Sequence, residues 1–209
     1  MTRTVAVILL PGGDCAAVKR MVAGAGGRFR VVVLGPPEAA GEFAEVAFRA
    51  VVPAWRLGSP ARRYGGGVAR VLRELGPAVI EEHDALEVAT MLGGVFRPVP
   101  VVLVVHSDPQ AQPGTRDAAG RTFLLAQVTR VAALSTALRV RVLDGVHPSM
   151  RQCALLPTEG PALADALDAL RADELEAWSR TLGGPIYSAS KPPPERTTCP
   201  TPSPRHPAT

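Results

Sequence analysis

Short apolar runs, rich in valine, alternate along this chain with stretches whose apolar residues recur at helical spacing. The first run, Thr4–Leu10, is β-branched and apolar throughout, as a strand covered on both faces must be. Arg30–Leu34, Phe48–Val52, Val79–Glu81, Val99–Val105, Val131–Leu134 and Cys153–Leu156 follow it as further strands. Between them lie helical patterns at Ala16–Ala25, which ends in Gly26-Gly27, and at Leu86–Leu92, Thr122–Val128 and Thr136–Leu143. Another carries Val68, Val71, Leu72 and Leu75 on one face and stops at Gly76-Pro77. Strands separated by helices are joined by long crossovers, and crossovers of that kind connect parallel neighbours. The predicted fold is therefore α/β: a Rossmann-like, mostly parallel sheet with helices on both faces, over residues 1–160. Ala162–Leu182 has Leu163, Leu167, Leu170, Leu175 and Trp178 at helical spacing, which predicts a C-terminal helix (161–184) packing back on that domain. Residues 185–209 are crowded with Pro, Ser and Thr and read as a disordered tail, either a docking ligand or a read-through.

A chain of 209 residues suits one such domain. With 46% hydrophobic but only 4% aromatic residues, its core must be built from Ala, Val and Leu. The net charge of +4 comes from scattered arginines without interleaved aromatics, so nucleic acid is not the expected partner. A mildly basic surface suits an anionic ligand, the inner face of a membrane, or solubility alone. Cys15, Cys153 and Cys199 stand far apart without a Cys-x-x-Cys pair, which argues against a zinc site or a disulfide framework and for a reducing cytoplasm. Val5–Leu10 runs into Pro-Gly-Gly rather than a secretory cleavage site, and no apolar run approaches the length of a bilayer span. The expected location is cytoplasmic, with peripheral membrane contact allowed.

An open parallel sheet binds its ligand beyond the carboxyl ends of its strands. Three polar or flexible turns fall there: Leu10-Pro11-Gly12-Gly13, Glu81-Glu82-His83-Asp84 and His106-Ser107-Asp108-Pro109-Gln110. Gly12 and Gly13 let the backbone approach a ligand, or simply make a strand-to-helix turn. His106 follows five apolar residues; its imidazole either hydrogen-bonds a ligand hydroxyl, with Asp108 orienting it, or merely ends a strand. His83-Asp84 repeats the arrangement one strand earlier. Glu81 and Glu82 point to opposite faces, one toward the crevice and the other solvated or paired. Ser135 is either a crevice contact or a helix N-cap. Gly65-Gly66-Gly67 precedes a helix but lacks the Lys-Ser/Thr of a phosphate loop, and neither a dinucleotide glycine fingerprint nor a Gly-x-Ser-x-Gly elbow occurs. His83 and His106 lack metal-ligand spacing, and His147 and His206 read as solvated. No cofactor and no metal are expected.

From about Tyr64 to Gly160 the chain resembles the acceptor-side half of bacterial family-four glycosyltransferases of GT-B architecture. The matching stretches are Tyr64-Gly65-Gly66-Gly67-Val68-Ala69-Arg70-Val71-Leu72, Ala78–Asp84, Val101–Gln110, Arg130–Ser135 and Leu155-Leu156-Pro157. In that family two Rossmann-like domains face each other, one holding the acceptor and the other a nucleotide sugar. The resemblance implies that Gly12, Gly13, His83 and His106 line the acceptor side, with the nucleotide sugar as co-substrate; Asp84 and Ser135 are further candidate contacts. A cell-envelope glycan or lipid-linked sugar would be the acceptor. The departures matter as much. After Pro157 the family chain crosses into its donor domain, commonly with Asn-Gly; here Thr158-Glu159-Gly160-Pro161 leads into the last helix. Glu74 and Glu82 have the spacing of the family's donor-side glutamates, but Gly76-Pro77 lies between them. The expectation is a donor domain lost from the middle of the chain, weak or absent activity alone, and a separate chain supplying the missing half. The rival expectations are a non-catalytic binding module that kept the fold, and an unrelated nucleotide-linked enzyme of doubly wound fold.

Overall fold

A computed structural model describes residues 2–23, 28–54, 59–84, 88, 92, 99–108, 117–148 and 153–181. Among these, seven strands form one sheet: β1 (Arg3–Ile8), β2 (Phe29–Gly35), β3 (Ala47–Ala50), β4 (Val79–His83), β5 (Val101–Val105), β6 (Arg130–Ala133) and β7 (Cys153–Leu155). Their order is β3-β2-β1-β4-β5-β6-β7, and every neighbouring pair is parallel. The Rossmann-like α/β fold that the alternating runs predict is the fold observed. The chain builds outward from β1 to β3, then returns to lay β4 against the other side of β1. That reversal opens a crevice at the carboxyl ends of β1 and β4.

Alternation along each strand sorts the core into two layers. Val5, Val7, Val79, Val102 and Val104 face α1 (Cys15–Val22), a 3₁₀ helix (Pro37–Phe43) and the last helix, α5 (Gly160–Thr181). Ala6, Ile8, Ile80, Leu103 and Val105 face α2 (Pro60–Leu75), α3 (Ala118–Leu125) and α4 (Thr136–Leu143), together with Val88 and Leu92. The 3₁₀ helix follows β2 after Gly35-Pro36. Pro37 at its first position is compatible with a helical start, and Ala39 and Phe43 bury against the sheet.

One correction concerns α2. The triple glycine lies inside this helix rather than ahead of it. The helix starts at Pro60, where the Ser59 hydroxyl accepts from the Arg62 amide at 3.3 Å. Gly67 is required by packing: a Cβ there would sit 2.3 Å from the Val52 carbonyl oxygen. The missing side chain lets α2 pass against the segment leaving β3, and the Ala54 amide donates to Arg63 O at 3.1 Å close by. At its other end Gly76 takes φ +57° and returns its amide to Leu72 O at 2.9 Å, the left-handed stop that Gly76-Pro77 announces.

In α5 the apolar stripe of Leu163, Leu167 and Leu170 is buried as its spacing predicts, but Arg171 and Glu174 are buried with it. Most of the predicted helix Leu86–Leu92, the turn residues Pro109 and Gln110, Gly26-Gly27, His206 and the tail 185–209 lie outside the described residues.

Candidate functional site

Three strand ends build the crevice. After β1 the chain turns through Gly12, at φ +74°, and the Gly13 amide donates to Leu10 O at 3.0 Å. Asp14 then caps α1, its Oδ1 accepting from the Ala17 amide at 2.9 Å. After β4, Asp84 adopts φ +53°, a conformation that aspartate enters more readily than most residues. The reason is visible in its bonds. Asp84 Oδ1 accepts from the backbone amides of His106 (2.8 Å) and Ser107 (3.1 Å), while Oδ2 lies 2.9 Å from His106 Nδ1. One carboxylate thus fastens the end of β4 to the end of β5. Gly12, Gly13, His83, Asp84, His106 and Ser107 line a cavity of about 370 Å³.

The two imidazoles stand with ring centroids 5.6 Å apart and planes tilted by 47°. His83, whose side chain is 1% exposed, places Nε2 2.9 Å from Glu81 Oε1. Glu81 and Arg171, both fully buried, meet through two bonds: Arg171 Nε donates to Oε2 at 2.7 Å and Nη2 to Oε1 at 3.0 Å. Arg171 Nη1 also donates to Asp168 Oδ1 at 2.8 Å. The chain Asp168–Arg171–Glu81–His83 therefore runs from the last helix, through the sheet layer, to the cavity wall.

Ionisation follows from these partners. Burial alone would raise the Glu81 pKa, but Arg171 and the His83 hydrogen bond outweigh it and hold the carboxyl down at about 2. Burial likewise opposes the charge on Asp84, and the His106 side chain, with the His106 and Ser107 amides, keeps its pKa below the ordinary value. Both carboxylates are then acceptors only, so each facing imidazole nitrogen carries the proton. His83 is protonated at Nε2 and His106 at Nδ1. Their other nitrogens, His83 Nδ1 and His106 Nε2, are buried and make no hydrogen bond among the described residues. Two lone pairs thus belong to the cavity's wall residues. Glu82, next along β4 and also fully buried, has neither oxygen bonded, and burial pushes its pKa well up, so it is a neutral acid. Beside it, the buried Tyr64 hydroxyl donates to Leu9 O at 2.7 Å, tying α2 to the exit of β1. Burial is the largest cause that raises the Tyr64 pKa.

The structure brings together five of the residues singled out from the sequence: Gly12, Gly13, His83, Asp84 and His106. It does not bear out the orienting role expected of Asp108. The carboxylate on His106 Nδ1 is Asp84, and Asp108 forms an ion pair with Arg141. A residue two places along an exposed turn competes poorly with one on the neighbouring strand end. Ser135 caps α4, its hydroxyl accepting from the Leu138 amide at 3.1 Å. The His147 amide donates to Thr122 Oγ1 at 3.4 Å. Neither Glu81 nor Glu82 is solvated. The Glu81–Arg171 pair escaped sequence reasoning, although Arg171 falls four residues after Leu167 on the predicted apolar stripe.

A larger groove of about 780 Å³ lies near the amino end of β3, between the end of α1 and the 3₁₀ helix. Its lining includes Val22, Val31, Val46 and the exposed Lys19–Glu42 pair at 2.5 Å, with no buried unpartnered polar side chain among the described residues. The chemistry is at the smaller cavity. No helix among the described residues is long and apolar enough to cross a membrane.

No protein-family model and no curated protein sequence matches the chain. Solved structures do. A sucrose-phosphate synthase chain from Thermosynechococcus elongatus superimposes with TM-score 0.61 at 14% identity, over 82% of this chain and 98% of that one. The UDP-N-acetylglucosamine 2-epimerase from Rickettsia bellii gives 0.54 at 10% identity, over 81% of this chain and 48% of the epimerase. The Neisseria meningitidis UDP-GlcNAc 2-epimerase, bound to UDP-GlcNAc, gives 0.53 at 12% identity, over 86% and 53%. This chain thus spans about half the length of the epimerases and nearly all of the synthase chain. What it shares with them is a GT-B-like, Rossmann-type fold.

Proposed function

We propose that this chain is the acceptor-side half of a glycosyltransferase-type machine. It would hold the sugar-bearing acceptor while a separate chain supplies the nucleotide-sugar donor site. The observation that carries this reading is His106, which lines the cavity with Gly12 and Gly13: its Nδ1–H is held by Asp84, and its buried Nε2 has no hydrogen-bond partner among the described residues. A lone pair held in that way accepts a hydrogen bond from a hydroxyl and orients the hydroxyl oxygen for attack. Asp84 takes the orienting part that sequence reasoning had given to Asp108. His83 offers a second acceptor across the cavity, and the glycines admit a bulky sugar ring.

Transfer also needs positive charge at the leaving diphosphate, in a site closed to water. Among the described residues, the crevice lining contains His83, His106, Asp14 and Asp84 but no arginine or lysine, so that charge would come from the donor half. Support for the reading comes from the fold, which is shared with a Thermosynechococcus sucrose-phosphate synthase chain over 98% of that chain's length. A cell-envelope glycan or lipid-linked sugar is the proposed acceptor, met in the cytoplasm or at the inner membrane face, where the basic surface helps.

The test is calorimetric titration of the purified chain with UDP-glucose, simple glycosides and a lipid-linked sugar, alongside a turnover assay. The expected result is binding of an acceptor-type sugar, weakened about tenfold or more in His106→Ala by loss of one hydrogen bond, with no product formed. Product from the chain alone overturns the half-enzyme reading. Absence of any sugar binding overturns the acceptor reading and leaves a non-catalytic module.

A further inference from the structure

We propose that Arg171 on the last helix is a positioning residue for the crevice: through Glu81 it decides which nitrogen of His83 carries the proton. The buried Nδ1 of His83, a residue lining the cavity, is then a hydrogen-bond acceptor and not a donor. This rests on the acceptor-side reading only for what the acceptor is used for; the lock itself is a property of the chain.

Glu81 pairs in register with Val7 on one side and Val102 on the other, in the same layer as Leu167 and Leu170. Hydrocarbon would pack there. A buried ion pair generally stabilises a fold no better than apolar residues of similar volume, because desolvation cancels the attraction. Stability therefore does not account for the pair, and its third bond does. Glu81 Oε1 receives both Arg171 Nη2 and His83 Nε2. While Arg171 keeps Glu81 ionised, that oxygen only accepts, and His83 has one possible tautomer. Without Arg171, burial drives a proton onto Glu81, which can then donate to His83 Nε2 and move the ring proton to Nδ1. A donor would replace an acceptor at His83 Nδ1. Asp168, bonded to Arg171 Nη1, holds the guanidinium from within its own helix. His106 is locked independently by Asp84, which gives the experiment an internal control. The last helix thus does more than cover the sheet: it sets the polarity of a site at the strand ends.

The test is ¹⁵N NMR of the imidazole nitrogens, which separates protonated from bare nitrogen and involves no sugar. The four histidines are assigned by single His→Gln variants. The wild type should show His83 protonated at Nε2 and His106 at Nδ1. In Arg171→Met the His83 pattern should become mixed or inverted while His106 stays unchanged, and Arg171→Lys, which keeps the charge, should restore it. An unchanged His83 in folded Arg171→Met overturns the proposal. Should that variant not fold, Glu81→Leu combined with Arg171→Leu answers the question: a single, wild-type His83 tautomer there overturns it, and its loss supports it. Either result leaves the sugar titrations to be judged separately.

Discussion

Glu81 and Glu82 are neighbours on one strand, equally buried, and they exist in opposite states. Glu81 points into the layer of α1 and α5, meets Arg171 and His83, and is held ionised. Glu82 points into the layer of α2 and α3 and meets no donor among the described residues, and burial raises its pKa well above the ordinary value, which favours the neutral acid. The difference shows that burial by itself does not determine charge. What decides is whether the opposing helix brings a donor to the place where the strand's pleat delivers the side chain. The two layers differ in the same way: in one, ionic contacts run from the last helix to the crevice, and in the other Glu82 has no bonded donor among the described residues.

The contrast breaks most strongly at Arg171. Arg171→Met removes the counter-charge of buried Glu81, which must then take up a proton at pH 7, and should cost about 3–5 kcal/mol in urea unfolding, whereas replacing both Glu81 and Arg171 by Leu should cost far less or stabilise. The wild-type pair also has a pH signature. Glu81's folded pKa lies below its unfolded value, so its contribution is present above about pH 4.5 and is lost as pH falls toward about 2. Next in size, and opposite in sign, is Glu82→Met. Glu82's folded pKa is raised, so the native state retains a proton that the unfolded chain releases, and stability falls as pH rises above about 4.5. Removing the acid should stabilise the protein by about 1–3 kcal/mol at pH 7 and flatten that decline between pH 5 and 8. A destabilised Glu82→Met, with the decline intact, would mean that the acid has a partner in solution. The smallest effect sharpens the contrast by standing outside it. Ser135→Ala should cost about 1 kcal/mol through loss of the α4 cap, with the His83 and His106 ¹⁵N signals unmoved.

Much of this was legible in the residues. Runs such as Val101–Val105, apolar at every position, require a strand covered on both faces, and their alternation with helices requires parallel neighbours. The site was legible as far as position: Gly12, His83 and His106 each end an apolar run, and parallel strands bring such ends to one rim. The boundaries of α2 were not legible. A triple glycine looks like a helix breaker until the Val52 carbonyl is seen against Gly67.

By itself the sequence determined the layered scaffold and the edge on which a ligand would sit, because strand and helix periodicities are local properties that survive in any context. The tertiary structure alone decided the chemistry at that edge. Asp84, not Asp108, reaches His106 because a contact across 22 residues of chain is closed by strand pairing, and Arg171 reaches Glu81 across 90. Spacing along the chain says nothing about separations that long. Only the register of β4 against β5, and the seating of the last helix on the sheet, turn one glutamate into an anion and its neighbour into a neutral acid.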